Sequence, residues 1–215
     1  MLKESSLREV DILLERYPML VTLRQRVIAT VELLADSYRK GGKILICGNG
    51  GSAADSLHIV GELMKRFVRK RTIHPGLQKE LKAQWGETAD YYIENLEETI
   101  PAISLVNESS LMTAYSNDKT ADLVFAQQVL GYGKAGDVLI CISTSGSSAN
   151  VLHAAKVAST LGMHVISMTG ERGGKLKEVS EILLNVPSAV TYQIQEFHLP
   201  IYHTICLMLE AELFT

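Results

Sequence analysis

Asp137-Val138-Leu139-Ile140-Cys141-Ile142-Ser143-Thr144-Ser145-Gly146-Ser147-Ser148 decides how the rest of the chain is read. Its first half is a short apolar run rich in branched side chains, with Gly133 and Gly136 in front. Such a run reads as a strand buried on both faces of a parallel sheet. Its second half is a hydroxyl cluster around one glycine, and Ala149-Asn150-Val151-Leu152-His153-Ala154-Ala155 then opens a helix. Strand, hydroxyl loop and helix start aim free backbone N–H groups and the positive end of a helix dipole at one point. Serine and threonine are favoured caps, but one cap needs one hydroxyl, and here five fall within six positions. Ser143, Thr144, Ser145 and Ser148 are therefore read as an anion site, with phosphate as the anion.

A second unit of the same kind lies earlier. Lys43-Ile44-Leu45-Ile46-Cys47 is a strand, Gly48-Asn49-Gly50-Gly51-Ser52 a glycine loop, and Ala53-Ala54-Asp55-Ser56 opens a helix. Glycines there permit positive φ and close approach of backbone to a ligand. The dinucleotide fingerprint fails because its third glycine position falls on Ala53, and the nucleotide P-loop fails for want of its lysine. Two anion-type loops in one sheet point to a sugar-phosphate crevice at the carboxyl edge of the strands. In the helix that follows, His58 and Glu62 are one turn apart on one face. That spacing suits two ligands of one metal, or a ligand beside a catalytic carboxylate; an ordinary helix-face pair fits it equally.

Around these units the chain alternates. Residues from about 6 to 39 carry apolar side chains at helical spacing and are broken in two by Pro18. This lead-in has to pack somewhere, and a partner subunit is one possibility. Five basic residues (Lys65, Arg66, Arg69, Lys70, Arg71) read mostly as a solvated helix end. About 72–99 is a charged, helix-prone insertion holding Trp85, read as a lid or an interface element. A strand is expected over 100–106 and a helix from Ser109 into a polar Ser116-Asn117-Asp118 loop, either a turn or a contact for substrate hydroxyls. After a helix at 120–131 come strands at 164–170 and 182–187. A final helix spans about 193–213, with Pro200 expected to kink or delay it. Strands alternating with helices give a parallel α/β sheet of five strands, covered on both faces in a three-layer sandwich.

At 215 residues the chain suits one α/β domain over 1–215, with 47% hydrophobic and 21% charged residues. A net charge of −3 gives no reason to expect nucleic acid or a membrane surface. Cys47, Cys141 and Cys206 are scattered in apolar runs and read as reduced, buried thiols. Met1-Leu2-Lys3-Glu4-Ser5 lacks a signal-type apolar core, and no run approaches the ~20 apolar residues of a membrane span. A cytoplasmic location is expected.

With Gly48 to Ser52, the serine loop, and Gln195-Glu196-Phe197-His198 followed by His203 in view, the chain resembles the sugar isomerase (SIS) domain family. The resemblance covers nearly the whole chain except about 72–99, and H-x-x-x-E with Q-E-x-H points to the branch acting on heptose phosphates. It implies a flavodoxin-like sheet and isomerisation of sedoheptulose 7-phosphate to an aldose. By that resemblance Asn49, Gly50, Gly51, Ser52, Glu62, Asn117, Asp118 and Gln195 contact substrate, while Ser143, Thr144, Ser145 and Ser148 hold its phosphate. It also implies one zinc ion per subunit on His58, Glu62, Gln195 and His203, with Glu62 and His203 as the acid/base pair, in a homotetramer. Non-catalytic relatives that bind a sugar phosphate or a replication-initiator protein, and isomerases of other sugar phosphates, are the alternatives. On one straight helix Gln195 and His203 would be ~12 Å apart. Either Gln195 precedes the regular helix, or the ligands come from different subunits.

Overall fold

Alternation within the strands builds two cores from one sheet. In the computed structural model, which describes residues 2–214, five strands pair in parallel: β1 (Ile44–Gly48), β2 (Ala102–Ser104), β3 (Val138–Ile142), β4 (His164–Thr169) and β5 (Ile182–Asn185). Met1 and Thr215, the two ends of the expected domain, lie outside the described residues. The strand order is β2-β1-β3-β4-β5. Ile44, Ile46, Val138, Ile140 and Ile142 enter one core, while Leu45, Cys47, Leu139 and Cys141 enter the other. Each such branched side chain contributes about 1.5–3 kcal/mol when fully buried. Both faces are therefore apolar, and the five-residue strands read as continuous hydrophobic runs.

The helices are α1 (Glu4–Arg16), α2 (Arg24–Arg39), α3 (Gly51–Leu63), α4 (Pro75–Trp85), α5 (Thr88–Asn95), α6 (Ser109–Asp118), α7 (Val124–Tyr132), α8 (Ala149–Thr160) and α9 (Thr191–Leu213). The first core holds Val10 and Leu13 of α1, Val27 and Leu34 of α2, Ile59 and Leu63 of α3, and Ile201 to Leu209 of α9. The second is closed by α7 and α8 through Phe125, Val129, Val151 and Ala155. Pro18 separates α1 from α2 by opening a 3-10 helix, Pro18–Leu23, where its missing N–H is not needed. The N-terminal helices pack on the chain's own α9: the Ser6 hydroxyl donates to the Met208 carbonyl at 3.0 Å.

Three expectations need correction. Ser116, Asn117 and Asp118 form the last turn of α6 instead of a loop. The helix expected over 120–131 splits into a 3-10 turn, Ala121–Leu123, and α7. Helix α9 starts at Thr191 and runs through Pro200, so Gln195 does not precede regular helix. A proline in mid-helix leaves the carbonyl four residues back without its donor, but the apolar face of α9, from Ile194 to Leu209, holds the helix against the core on both sides.

The insertion is a helical hairpin. Helix α4 buries no side chain and α5 buries only Ala89. Its two ends meet at an antiparallel bridge between Thr72 and Glu97. Trp85 and Tyr91 are exposed. Among the described residues no helix is long and apolar enough to cross a membrane.

Candidate active site

Strands β1 and β3 are neighbours, with Gly48 in register with Ile142, so the glycine and serine loops leave the sheet side by side. From β1 the chain moves outward to β2, then returns to β3 on the other side, which opens a crevice between the two loops. Gly50, with φ +56°, starts α3 in a conformation that needs glycine. A Cβ at Gly48 would lie 2.7 Å from the Ser52 carbonyl oxygen, so the tight turn also requires glycine there. Across the crevice mouth the Asn49 and Asn150 amides exchange hydrogen bonds of 2.9 and 3.0 Å. Asn150 is a loop-bridging residue the sequence did not single out, because only the β1–β3 pairing brings it opposite Asn49.

Ser148 is the N-cap of α8, but its hydroxyl makes no capping bond. It lies 3.0 Å from the Ser143 hydroxyl, which is itself 3.5 Å from that of Ser145. The three hydroxyls thus cluster at a helix N-terminus, as an anion site requires. The loop is braced from behind. Gly146 has φ +63°, and a Cβ on it would lie 2.2 Å from the Gly173 carbonyl oxygen. The Leu176 amide donates to the Gly146 carbonyl at 2.9 Å, and the Thr144 carbonyl accepts from the Gly170 amide at 3.0 Å. Thr144 and Ser145 line a cavity of about 330 Å³ with Glu171, Arg172 and Ser188. Arg172 and Glu171 bring one charge of each sign to the lining of that cavity, which the loop pattern alone did not reveal.

The third group stands further along α3. His58 Nε2 is 3.4 Å from Glu62 Oε1 and 3.5 Å from His203 Nε2, so α3 and α9 bring these three residues together. Lys65 donates to the other Glu62 oxygen at 2.9 Å. Burial, and then the nearby His58, lower the His203 pKa, while Glu62 opposes them. Behind His58, its Nδ1 is 3.0 Å from the Tyr202 hydroxyl, which donates to Asp55 Oδ1 at 3.3 Å. Burial raises the Asp55 pKa against the opposing effects of that bond and of His58.

Donor spacing tests whether zinc suits this cluster. With metal–ligand bonds of about 2.0–2.1 Å, two ligands on a tetrahedral ion are ~3.3 Å apart. The His58–Glu62 and His58–His203 spacings of 3.4 and 3.5 Å fit that edge. The described residues nevertheless form no ready group of three or more His, Cys, Asp or Glu around one point. Gln195 stands apart, its amide nitrogen only 2.5 Å from where a Gly51 Cβ would be, over the glycine loop. Asn117 and Asp118 bond to each other at 2.9 Å on exposed α6. His198 is buried with Nε2 3.4 Å from the Thr169 carbonyl, and burial pushes its pKa down to about 4.

The basic stretch holds an exception to the solvated reading. Arg71 and Glu210 are fully buried, with Arg71 Nε donating to Glu210 Oε1 at 2.8 Å. Glu210 also accepts from the amides of Phe67, Val68 and Arg69 at 2.8–2.9 Å. Arg71 caps the end of α3 by donating to the carbonyls of Leu63 and Glu62, at 2.7 and 3.2 Å. Its pairing sets the Phe67 ring 5.4 Å from that of His203.

Comparison with known proteins agrees with this layout. The SIS domain family model matches residues 8–104 and 93–170. A phosphoheptose isomerase of Burkholderia pseudomallei (strain 1710b) is 41% identical over 194 residues, covering 88% of this chain and 85% of the relative. The chain belongs to the phosphoheptose isomerase branch of the SIS domain family. A solved structure of that branch, from Neisseria gonorrhoeae, is 36% identical with a TM-score of 0.69, covering 94% of this chain and 90% of the other. The phosphoheptose isomerase of Francisella tularensis is 30% identical with a TM-score of 0.71, covering 86% and 85%. Phosphoheptose isomerase relatives thus match both the sequence and the five-stranded sheet that carries the two loops.

Proposed function

We propose that the chain is a phosphoheptose isomerase that converts sedoheptulose 7-phosphate to D-glycero-D-manno-heptose 7-phosphate. The observation that carries this reading is the meeting of Glu62 and His203 around His58, on the helix that leaves the glycine loop. In this reading Ser143, Thr144, Ser145 and Ser148 hold the phosphate, and Arg172 lines the cavity next to Thr144 and Ser145. Binding energy at that remote group orients C1 and C2 of the sugar. One member of the Glu62/His203 pair takes the proton from C1 while the C2 carbonyl oxygen gains one, forming an enediol. The enediol then gains a proton at C2 and loses one from the oxygen on C1, giving the aldose. Burial and the neighbouring His58 lower the His203 pKa and so favour its neutral imidazole, the form that can accept a proton.

Zinc belongs to the same proposal. His58, Glu62 and His203 would hold it, and the bound ion would supply a Lewis acid for the sugar oxygens. Gln195 lies two turns of α9 from His203, so Gln195 of a second copy would complete the ligand set. Leu57, Met64, Val68 and Leu199 flank the cluster and are exposed, an apolar rim suited to a covering copy within a tetramer.

Turnover of sedoheptulose 7-phosphate by the purified protein, before and after chelation and zinc readdition, tests the reading. Zinc-dependent aldose formation is expected. Zinc-independent turnover would remove the metal and keep the acid/base pair. Binding of the phosphosugar without turnover would overturn the enzymatic assignment.

A further inference from the structure

Tyr202 lies directly before His203 and is almost fully buried, with its hydroxyl between two partners. On one side, Asp55 Oδ1 accepts from it at 3.3 Å. On the other, His58 Nδ1 is 3.0 Å away. The second Asp55 oxygen is buried and has no hydrogen-bond partner among the described residues. A tyrosine hydroxyl carries one proton, and an ionised carboxylate can only accept. If Tyr202 spent that proton on His58, the half-buried Asp55 carboxylate, whose second oxygen is already enclosed without a donor, would lose the one that its first oxygen has. The proton therefore belongs to the Asp55 bond, and the hydroxyl oxygen is left to accept from His58.

We propose that Asp55 and Tyr202 are positioning residues that hold the His58 imidazole in the tautomer protonated at Nδ1, leaving the Nε2 lone pair facing Glu62 and His203. A ring nitrogen that binds a metal must be unprotonated, and the bond made by the other nitrogen decides which one that is. The chain carboxylate–phenol–imidazole thus acts through His58 and need not touch substrate. Its consequence for zinc rests on the ligand assignment proposed above; the tautomer itself does not.

Long-range proton–nitrogen NMR of the metal-free protein reads the tautomer, and competition with a chromophoric chelator reads zinc affinity. Wild type is expected to show His58 protonated at Nδ1. Tyr202→Phe removes only the hydroxyl; it should release that preference and weaken zinc binding by about 10–100-fold. Asp55→Asn keeps an acceptor oxygen for Tyr202, so it should retain the tautomer and hold zinc within a few-fold of wild type. Asp55→Leu fills similar space without an acceptor, so Tyr202 should turn its proton to His58 and move the imidazole proton to Nε2. Wild-type His58 protonated at Nε2, or a Tyr202→Phe protein with unchanged tautomer, overturns the proposal. A wild type locked at Nδ1 that binds no zinc supports the lock and overturns the metal assignment instead.

Discussion

Replacing Glu210 by alanine tests whether the buried ion pair holds the segment behind the proposed acid/base pair. The Glu210 side chain is fully buried and accepts four hydrogen bonds, one from Arg71 and three from the amides of Phe67, Val68 and Arg69. Removing one partner of a buried pair costs about 3–5 kcal/mol, because the other charge is left uncompensated. Arg71 would keep two carbonyl acceptors and the Phe214 ring, 4.8 Å from its guanidinium carbon. The expected loss is therefore about 3 kcal/mol, at the lower end of that range. Urea unfolding at fixed protein concentration measures it. Isomerase turnover should fall in the surviving folded fraction, since Phe67 and the end of α3 lose their anchor. The double variant Arg71→Met/Glu210→Met should recover much of the stability by removing both charges, but not the turnover. A Glu210→Ala protein within about 1 kcal/mol of wild type would refute the argument that this pair secures the loop.

Three further outcomes follow from the geometry. Gly146→Ala places a methyl against the Gly173 carbonyl and forces a strained φ worth about 1–3 kcal/mol, so KM for the sugar phosphate should rise with little change in kcat; equal KM values would count against the brace. Glu62→Gln should lower kcat by about 10²–10⁴ while leaving binding near wild type, and undiminished turnover in steady-state kinetics would remove Glu62 from the chemistry. For acid stability, burial would raise the pKa of Glu210 and Asp137, but their hydrogen bonds and cations outweigh it and hold both below their ordinary values of 4.5 and 3.8. Their contribution is full above those ordinary values and is lost as pH falls through the folded ones, so the urea midpoint should drop below about pH 4.5, and less steeply in Glu210→Gln.

Much of this was legible because it is local. The serine loop, the glycine loop and the His58–Glu62 face are each written in consecutive residues, and strand composition marked all five strands. What escaped depends on residues distant in sequence. Asn150 meets Asn49 only because β3 pairs with β1, and Gly173 braces the serine loop only because β4 returns beside β3. Arg71 looked like one more solvated cation until Glu210, on the last helix, was found beneath it. Pro200 does not delay α9, for an energetic reason: one lost backbone bond weighs less than the apolar face that the helix buries on both sides of it.

The bridge between Thr72 and Glu97 gives the helical hairpin the character of a graft. The chain departs and returns through facing residues, so the sheet never feels how much polypeptide lies between. Shortening such a segment six-fold changes its closure entropy by only about 1.6 kcal/mol. Parallel strands place this graft between the end of α3 and the start of β2, at the edge of the sheet opposite the two loops, so changes in α4 and α5 leave the crevice as the strands set it.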